Sequence, residues 1–98
     1  MKITKNYVFS RNVFKKFSVD KKYVDGKYTQ INATYTENPQ FSIMLCTFDD
    51  DNPWYSLDVW YDYEEDCEII FGVEDFSPIN KDTISRAVML AIGAIESY

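Results

Sequence analysis

Residues 54–63, with the sequence WYSLDVWYDY, constrain the fold most strongly because two sets of side chains alternate there without interruption. A β-strand turns successive side chains to opposite faces, so this pattern predicts a strand. One face is suited to a hydrophobic core and comprises Tyr55, Leu57, Val59, Tyr61 and Tyr63. The other face combines two tryptophans with carboxylates and comprises Trp54, Ser56, Asp58, Trp60 and Asp62. We therefore expect an interior strand whose second face forms a wetter surface.

The length of 98 residues predicts one domain covering residues 1–98, and the content of 46% hydrophobic and 27% charged residues is typical of a globular protein. The most apolar uncharged run, residues 87–95, is well short of the roughly 20 residues that a membrane span needs. The N-terminus has no apolar signal-peptide region. The expected location is therefore cytoplasmic.

The residue types that are missing or rare exclude several chemistries. The chain has no histidine, which excludes histidine-based catalytic triads and histidine metal ligands. Its three glycines form no phosphate-binding loop, and its two cysteines form no CxxC motif. We expect free thiols, with a disulfide or a thiol-based site as the alternative. The sequence therefore predicts a protein that is not an enzyme and has no cofactor.

The acidic run at residues 49–51 suggests a calcium loop, but its spacing does not fit one. Counted from Asp49, an EF-hand loop requires glycine at position 6 and glutamate at position 12, where this chain has Trp54 and Trp60. The acids at positions 62, 64 and 66 fit no better. Solvated turns are the favoured interpretation of both runs, with a weak divalent site as the alternative.

The charges are divided along the chain. Residues 1–27 contain eight basic and two acidic residues, a net charge of +6, whereas residues 28–80 contain twelve acidic and no basic residues. Like charges crowded on a small fold repel one another. Either the basic segment lies across the acidic sheet and neutralises it, or the acidic face stays exposed for a basic partner.

Turn residues divide the rest of the chain into a meander. Asp25-Gly26 predicts a hairpin, followed by strands to Tyr35, over residues 41–48 and 54–63, and from Cys67 to Val73. In the last of these, we expect Cys67, Ile69, Phe71 and Val73 to share a face. Ser10 is an acceptable cap for a short helix through Phe17, although a strand through Val19 competes with it.

The C-terminal segment is predicted to be a helix that begins after an Asn80 cap. Its apolar stripe consists of Ile84, Ala87, Val88, Ala91, Ile92 and Ile95. The expected fold class is therefore α+β: an antiparallel meander of four to five strands, the C-terminal helix packed on one face, and a short N-terminal helix as an additional element. In this fold we expect Val13, Phe14 and Phe17 to pack on the domain, while Lys15 and Lys16 project beside the acidic sheet edge.

The charge pattern predicts that the chain binds a basic, nucleic-acid-binding protein, such as a nuclease, and inhibits it. Tryptophan is enriched at binding hot spots, and spaced carboxylates present negative charge much as phosphates do. The expected partner-binding residues are Asp49, Asp50, Asp51, Trp54, Asp58, Trp60, Asp62, Glu64, Glu65 and Asp66. In physical type, the chain is similar to small acidic nucleic-acid mimics, including phage-encoded inhibitors of bacterial defence nucleases, although no sequence motif carries the similarity.

Three other functions remain open at this stage. The chain is also similar in type to immunity proteins that block basic toxins. A self-associating structural protein would use the tryptophan-bearing face as a homodimer interface. Direct binding of nucleic acid would depend on the basic residues of 1–27 alone, because the acidic region repels phosphate.

Overall fold

The computed structural model describes residues 15–77 and 80–98, which form an antiparallel sheet and one helix. The five strands follow the order β1-β2-β3-β4-β5, so each strand pairs with its neighbours in sequence. Their bounds are β1 (Phe17–Asp25), β2 (Tyr28–Tyr35), β3 (Phe41–Phe48), β4 (Trp54–Asp62) and β5 (Cys67–Asp75). The helix α1 (Lys81–Glu96) follows β5. The expected α+β meander with a C-terminal helix is confirmed.

The hairpin between β1 and β2 forms at the predicted dipeptide. Asp25 pairs with Tyr28, which leaves Gly26 and Lys27 as the two turn residues. Gly26 has a φ of 58°, a conformation that costs glycine little because it has no Cβ. A tight turn with a positive φ matches the twist of the strands on either side, so this turn fixes the register of the pair.

The core lies between α1 and one face of the sheet. The alternation of β4 places Tyr55, Leu57 and Val59 on this face, where all three are buried. The helix covers them with a buried stripe of Ile84, Ala87, Val88, Ala91 and Ile95. The Asn80 side chain accepts hydrogen bonds from the backbone N–H groups of Asp82 and Thr83, and it thereby caps the first turn as predicted.

Strand β5 departs from simple alternation because it contains a β-bulge. Val59 pairs with Phe71 but Trp60 pairs with Ile69, so Ile70 is an extra residue in the ladder. Directly paired residues share a face, so Phe71 faces the helix and Ile69 faces away from it. The prediction that Cys67 and Ile69 share a face with Phe71 was therefore wrong, because one inserted residue reverses the alternation.

The N-terminal expectations are tested only from residue 15 onward. Phe17 is 3% exposed, as predicted, and it begins β1 directly after a 3₁₀ turn at Lys15 and Lys16. Within the described residues, the helical conformation therefore ends at Lys16, one residue before its predicted end, and a strand covers residues 17–19. Val13, Phe14 and the expected cap Ser10 lie outside the described residues. Lys16 forms a 3.2 Å salt bridge with Glu96 at the end of α1, which corrects its expected place beside the acidic sheet edge.

The helix α1 contains 16 residues. Within the described ranges, no helix is both long and apolar enough to cross a membrane.

Candidate protein-binding site

The face of the sheet opposite α1, here called the open face, displays the second set of alternating residues in β4. Trp54, Ser56, Asp58 and Trp60 are all half-buried there, in contrast to their fully buried neighbours. Each pairs with a β3 residue on the same face, and Trp54 lies opposite Phe48 while Trp60 lies opposite Ser42. The open face therefore consists of rows of side chains running across the strands.

The two tryptophans have different environments on this face. The Trp54 ring stacks on Phe48, with ring centroids 6.1 Å apart and an angle of 3° between the planes. Trp60 lies between Ser42 on β3 and Ile69 on β5, and no described aromatic ring packs against it. Trp60 is therefore the tryptophan whose ring can receive a ligand group.

The predicted acidic residues are split between the two ends of β4. Residues 49–51 precede the strand and residues 64–66 follow it. The eight residue steps from Trp54 to Asp62 span about 26 Å at the rise of an extended strand. The backbone N–H of Asp49 donates to the carbonyl of Lys27, so the first acidic run lies beside the β1–β2 turn and its lysine. The ten predicted residues therefore do not form one compact cluster.

The second acidic run belongs to a corner of the molecule where carboxylates and tyrosines meet. A concavity of about 520 Å³ at this corner is lined by Gln40, Tyr61, Tyr63, Glu64, Glu65 and Asp66. Gln40 links the turn between β2 and β3 to the end of β4, since its side-chain amide donates to the carbonyl of Asp62 at 3.3 Å. We call residues 62–66 the acidic corner. It holds four of the ten predicted residues: Asp62, Glu64, Glu65 and Asp66.

Hydrogen bonds to Glu68 support the tyrosines of the acidic corner. The Tyr63 hydroxyl donates to Glu68 Oε1, and the hydroxyl of Tyr98 donates to the same oxygen at 3.2 Å. These contacts raise the pKa of Tyr63, because the carboxylate favours the protonated phenol, and Tyr98 adds to the effect. The Tyr98 ring also lies 4.9 Å from that of Tyr61. The C-terminal residue thus holds the end of α1 against this corner.

The sheet order places opposite charges at opposite edges. Of the basic residues 15–27, Lys21 and Lys22 lie in β1 and the others flank it at Lys15, Lys16 and Lys27. Strand β5 carries three acids and no basic residue. Four strand spacings separate these edges, about 19 Å. The lysines in β1 therefore lie at the edge opposite the acidic strand β5, whereas Lys27 in the β1–β2 turn lies beside the first acidic run.

Several site carboxylates have no partner within the described part of the chain. No hydrogen bond or salt bridge engages the side chains of Asp58, Asp62, Glu64 or Glu65 in these ranges. The carboxylate of Asp58 lies over Gly72, where an added Cβ would be 3.0 Å from Asp58 Oδ1. Unpartnered carboxylates on an exposed surface remain available to an external cation.

A groove of about 530 Å³ crosses the open face beside Trp60. The sequence indicated Trp60 and Asp62, but the other groove residues were missed. These are Asp20, Lys21, Asn32, Ala33, Thr34, Ser42, Ile43, Met44 and Cys67. With Trp60 and Asp62, the lining comes from all five strands, and the β1 and β5 contributions depend on register shifts that no local sequence signal predicts. The sequence shows the hydroxyl residues Thr34 and Ser42, but it does not show that they pair across strands and lie side by side on the open face.

The thiols and the acids show no arrangement for redox or metal chemistry. Cys46 is buried and Cys67 is exposed, and both are free. Cys46 pairs with Ser56 and Cys67 pairs with Asp62, so the thiols are two strands apart and are also separated by about 20 Å along β4, which is beyond disulfide reach. In the described ranges, no group of three or more cysteine or acidic side chains is placed to hold a metal ion.

Comparison with known proteins finds no matching family model, no matching curated sequence and no matching solved structure. A functional proposal therefore depends on the geometry and charge of the site.

Proposed function

We propose that this chain is a small acidic, non-enzymatic protein that binds a basic, nucleic-acid-binding protein and inhibits it. The observation that carries the proposal is the segregation of charge across the sheet. The carboxylates of Asp58, Asp62, Glu64 and Glu65 have no partner among the described residues, and they occupy the open face of β4 and the acidic corner. The lysines of residues 15–27 lie in or next to β1, at the far edge of the sheet. A basic protein surface that normally binds phosphates would contact the carboxylates of this chain instead.

The charge distribution favours a basic protein over nucleic acid as the partner. The region of residues 28–80 carries twelve acidic and no basic residues, so it repels phosphate. The same field attracts a basic surface from a distance and speeds association. A nuclease is the partner class that best fits this surface, in the manner of phage inhibitors of bacterial defence or of immunity proteins. We place this activity in the cytoplasm, in keeping with the two free thiols.

The test compares three versions of the chain as bait in a bacterial lysate. The wild type is compared with a variant of the acidic corner, Asp62→Asn with Glu64→Gln, and with a control variant, Asp25→Asn with Asp82→Asn, whose residues are not among the expected partner-binding residues. Both variants change the net charge by the same amount, but the control changes lie away from the acidic corner. We expect the wild type and the control to capture a protein at low salt that the corner variant does not retain.

The captured protein must then meet two further conditions. Its complex should dissociate as salt rises, because screening weakens exposed charge pairs. Its binding to a DNA or RNA oligonucleotide should be lost when the wild-type chain is added. Equal capture by all three baits, or a captured protein that binds nucleic acid unhindered, would contradict the proposal.

The second candidate function is self-association in a structural assembly. The observation that favours it is that β1 and β5 are both edge strands, one flanked by lysines and the other acidic. An edge strand has unpaired backbone groups that can extend a sheet into another molecule. Alternatively, the tryptophan-bearing open face would form a homodimer.

Sedimentation velocity over a wide concentration range distinguishes this candidate from the first. Self-association predicts a sedimentation coefficient that rises with protein concentration and falls back at high salt. A concentration-independent monomer would exclude the structural role and leave partner binding in place.

A further inference from the structure

The groove beside Trp60 arises from the size of the side chains in one row of the open face. This row runs across the strands through Thr34, Ser42, Trp60 and Ile69, as the strand registers show. Thr34 and Ser42 are short, so they form a low floor between larger neighbours. The depression is a consequence of sequence and register together, and it is lined with hydroxyl groups.

The walls of the groove combine an aromatic ring with carboxylates. Trp60 and Asp62 come from β4, and Asp20 comes from β1 on the opposite side. One Asp20 oxygen accepts a hydrogen bond from the Thr34 hydroxyl, which fixes that carboxylate over the floor. Lys21 also reaches the groove, and Met44 adds an apolar surface. The groove therefore offers a ring and two anionic groups against one cationic group.

We propose that this groove receives an arginine side chain of the partner, with its guanidinium on the Trp60 ring and its N–H groups directed to Asp62, while Asp20 adds negative charge on the opposite wall. The inference rests on the proposed function, and it names the group by which a basic partner would be anchored. Charge complementarity selects this occupant, because the groove has two carboxylates against one lysine, and its β2 to β5 walls belong to a region with no basic residue.

Arginine fits these walls better than lysine or a neutral ligand does. A guanidinium is planar, stacks on aromatic faces and donates paired hydrogen bonds to carboxylates. Tryptophan is the ring that attracts a cation most strongly. A lysine ammonium is a compact, strongly hydrated charge, and a neutral sugar would make no use of the carboxylates.

The probe is N-acetyl-arginine methylamide, titrated into the uniformly ¹⁵N-labelled full chain. The indole N–H signals of Trp60 and Trp54 are assigned with a Trp54→Phe variant. We expect saturable shifts of the Trp60 signal only, since the Trp54 ring is stacked on Phe48. Comparison ligands are the lysine analogue, the uncharged citrulline analogue and a methyl glucoside.

Arginine should bind more tightly than lysine, and citrulline and the glucoside should not shift the Trp60 signal. Equal shifts with citrulline, tighter binding of the glucoside, or equal shifts at Trp54 would each overturn the inference.

Variants test the assigned roles one at a time. Trp60→Leu and Asp62→Asn should each weaken binding of the arginine probe about three- to tenfold, with Trp60→Phe falling between the wild type and Trp60→Leu. Lys21→Gln should strengthen binding, because it removes the cation from the groove wall. Asp25→Asn is the control and should leave the affinity unchanged. A Lys21→Gln variant with weaker binding would contradict the charge argument.

The partner experiment separates failure of this inference from failure of the proposed function. If a captured nucleic-acid-binding protein depends on Glu64 but is retained by Trp60→Leu, the proposed function stands and the arginine anchor is wrong. If the arginine probe binds at Trp60 but the baits capture no basic protein, the groove assignment stands and the inhibitory function is wrong.

Discussion

Leu57 shows how much of the stability depends on single side chains at the centre of β4. It is 0% exposed, it pairs with Leu45 on β3, and it faces the core beneath α1. We expect Leu57→Ala to lower the free energy of unfolding by about 2–5 kcal/mol, because it removes buried surface and leaves a cavity. Urea denaturation followed by circular dichroism measures this loss.

Ile69 provides the control for this prediction. It is 51% exposed on the open face, so Ile69→Ala should change the free energy of unfolding by less than about 0.5 kcal/mol. If Leu57→Ala is too unstable to measure, Ile43→Val in the same core should still cost about 0.5–1.5 kcal/mol. Similar losses for Leu57→Ala and Ile69→Ala would contradict the assignment of faces.

Tyr28 gives the open face a measurable response to pH. Its hydroxyl lies 3.3 Å from Cys46 Sγ, and this hydrogen bond together with burial raises the pKa of Tyr28 to about 12. The unfolded chain has a tyrosine pKa of about 10. Between these values the unfolded state releases the proton while the folded state retains it. The contribution of Tyr28 to stability is therefore complete below about pH 10 and is lost as the pH approaches 12.

Ultraviolet absorbance of the phenolate isolates this titration. The difference between the titration curves of the wild type and Tyr28→Phe should have its midpoint near pH 12. In Cys46→Ala, the midpoint of the Tyr28 titration should move down toward the ordinary tyrosine value. A Tyr28 midpoint near pH 10 in the wild type would contradict the hydrogen bond.

At the scale of elements, the cap of α1 is the contact most open to a direct test. Asn80 Oδ1 accepts from the backbone N–H groups of Asp82 and Thr83 at 2.9 and 3.0 Å. Asn80→Ala should reduce the free energy of unfolding by about 1 kcal/mol, because these N–H groups lose their acceptor. Asn80→Asp retains an acceptor at a helix N-terminus and should be at least as stable as the wild type in the same urea titration. Equal stability of the alanine variant would show that the cap contributes nothing.

The bounds of the strands and the helix followed closely from local sequence preferences. The face of the sheet on which each β5 side chain lies did not. The Asp25-Gly26 turn, the alternation of β4 and the stripe of α1 each reflect short-range periodicity or a backbone preference that a sequence displays directly. The insertion of Ile70 in β5 is a property of the pairing with β4. Residues 67–73 include apolar side chains at both odd and even positions, so the sequence was compatible with either set facing the helix.

At the scale of the whole molecule, the separation of charge predicts a dependence of stability on salt. Carboxylates crowd the acidic corner, and the described lysines lie at the far edge. Raising the salt concentration from 0.01 M to 0.15 M shortens the Debye length from about 30 Å to about 8 Å. We expect the thermal unfolding midpoint to rise over this range, because repulsion among the acids is screened.

A variant of the acidic corner supplies the matched comparison. Asp62→Asn with Glu65→Gln should be more stable than the wild type at low salt and should respond less to added salt. The control pair Asp25→Asn with Asp51→Asn should retain more of the salt response. A midpoint that falls with salt in the wild type would show that attraction, rather than repulsion, dominates this surface.

The sequence by itself determined the class of fold, the order of the strands in the meander, the helix with its cap and the division of charge along the chain. These features depend on residues close together in sequence, where the periods of strand and helix and the preferences of turns act directly. Tertiary structure alone decided which residues meet across strands. It separated residues 49–51 from the acidic corner, stacked Trp54 on Phe48, and left Trp60 beside a groove floored by Thr34 and Ser42. Cross-strand register and bulges set these contacts, because a shift of one residue in a strand moves every following side chain to the other face.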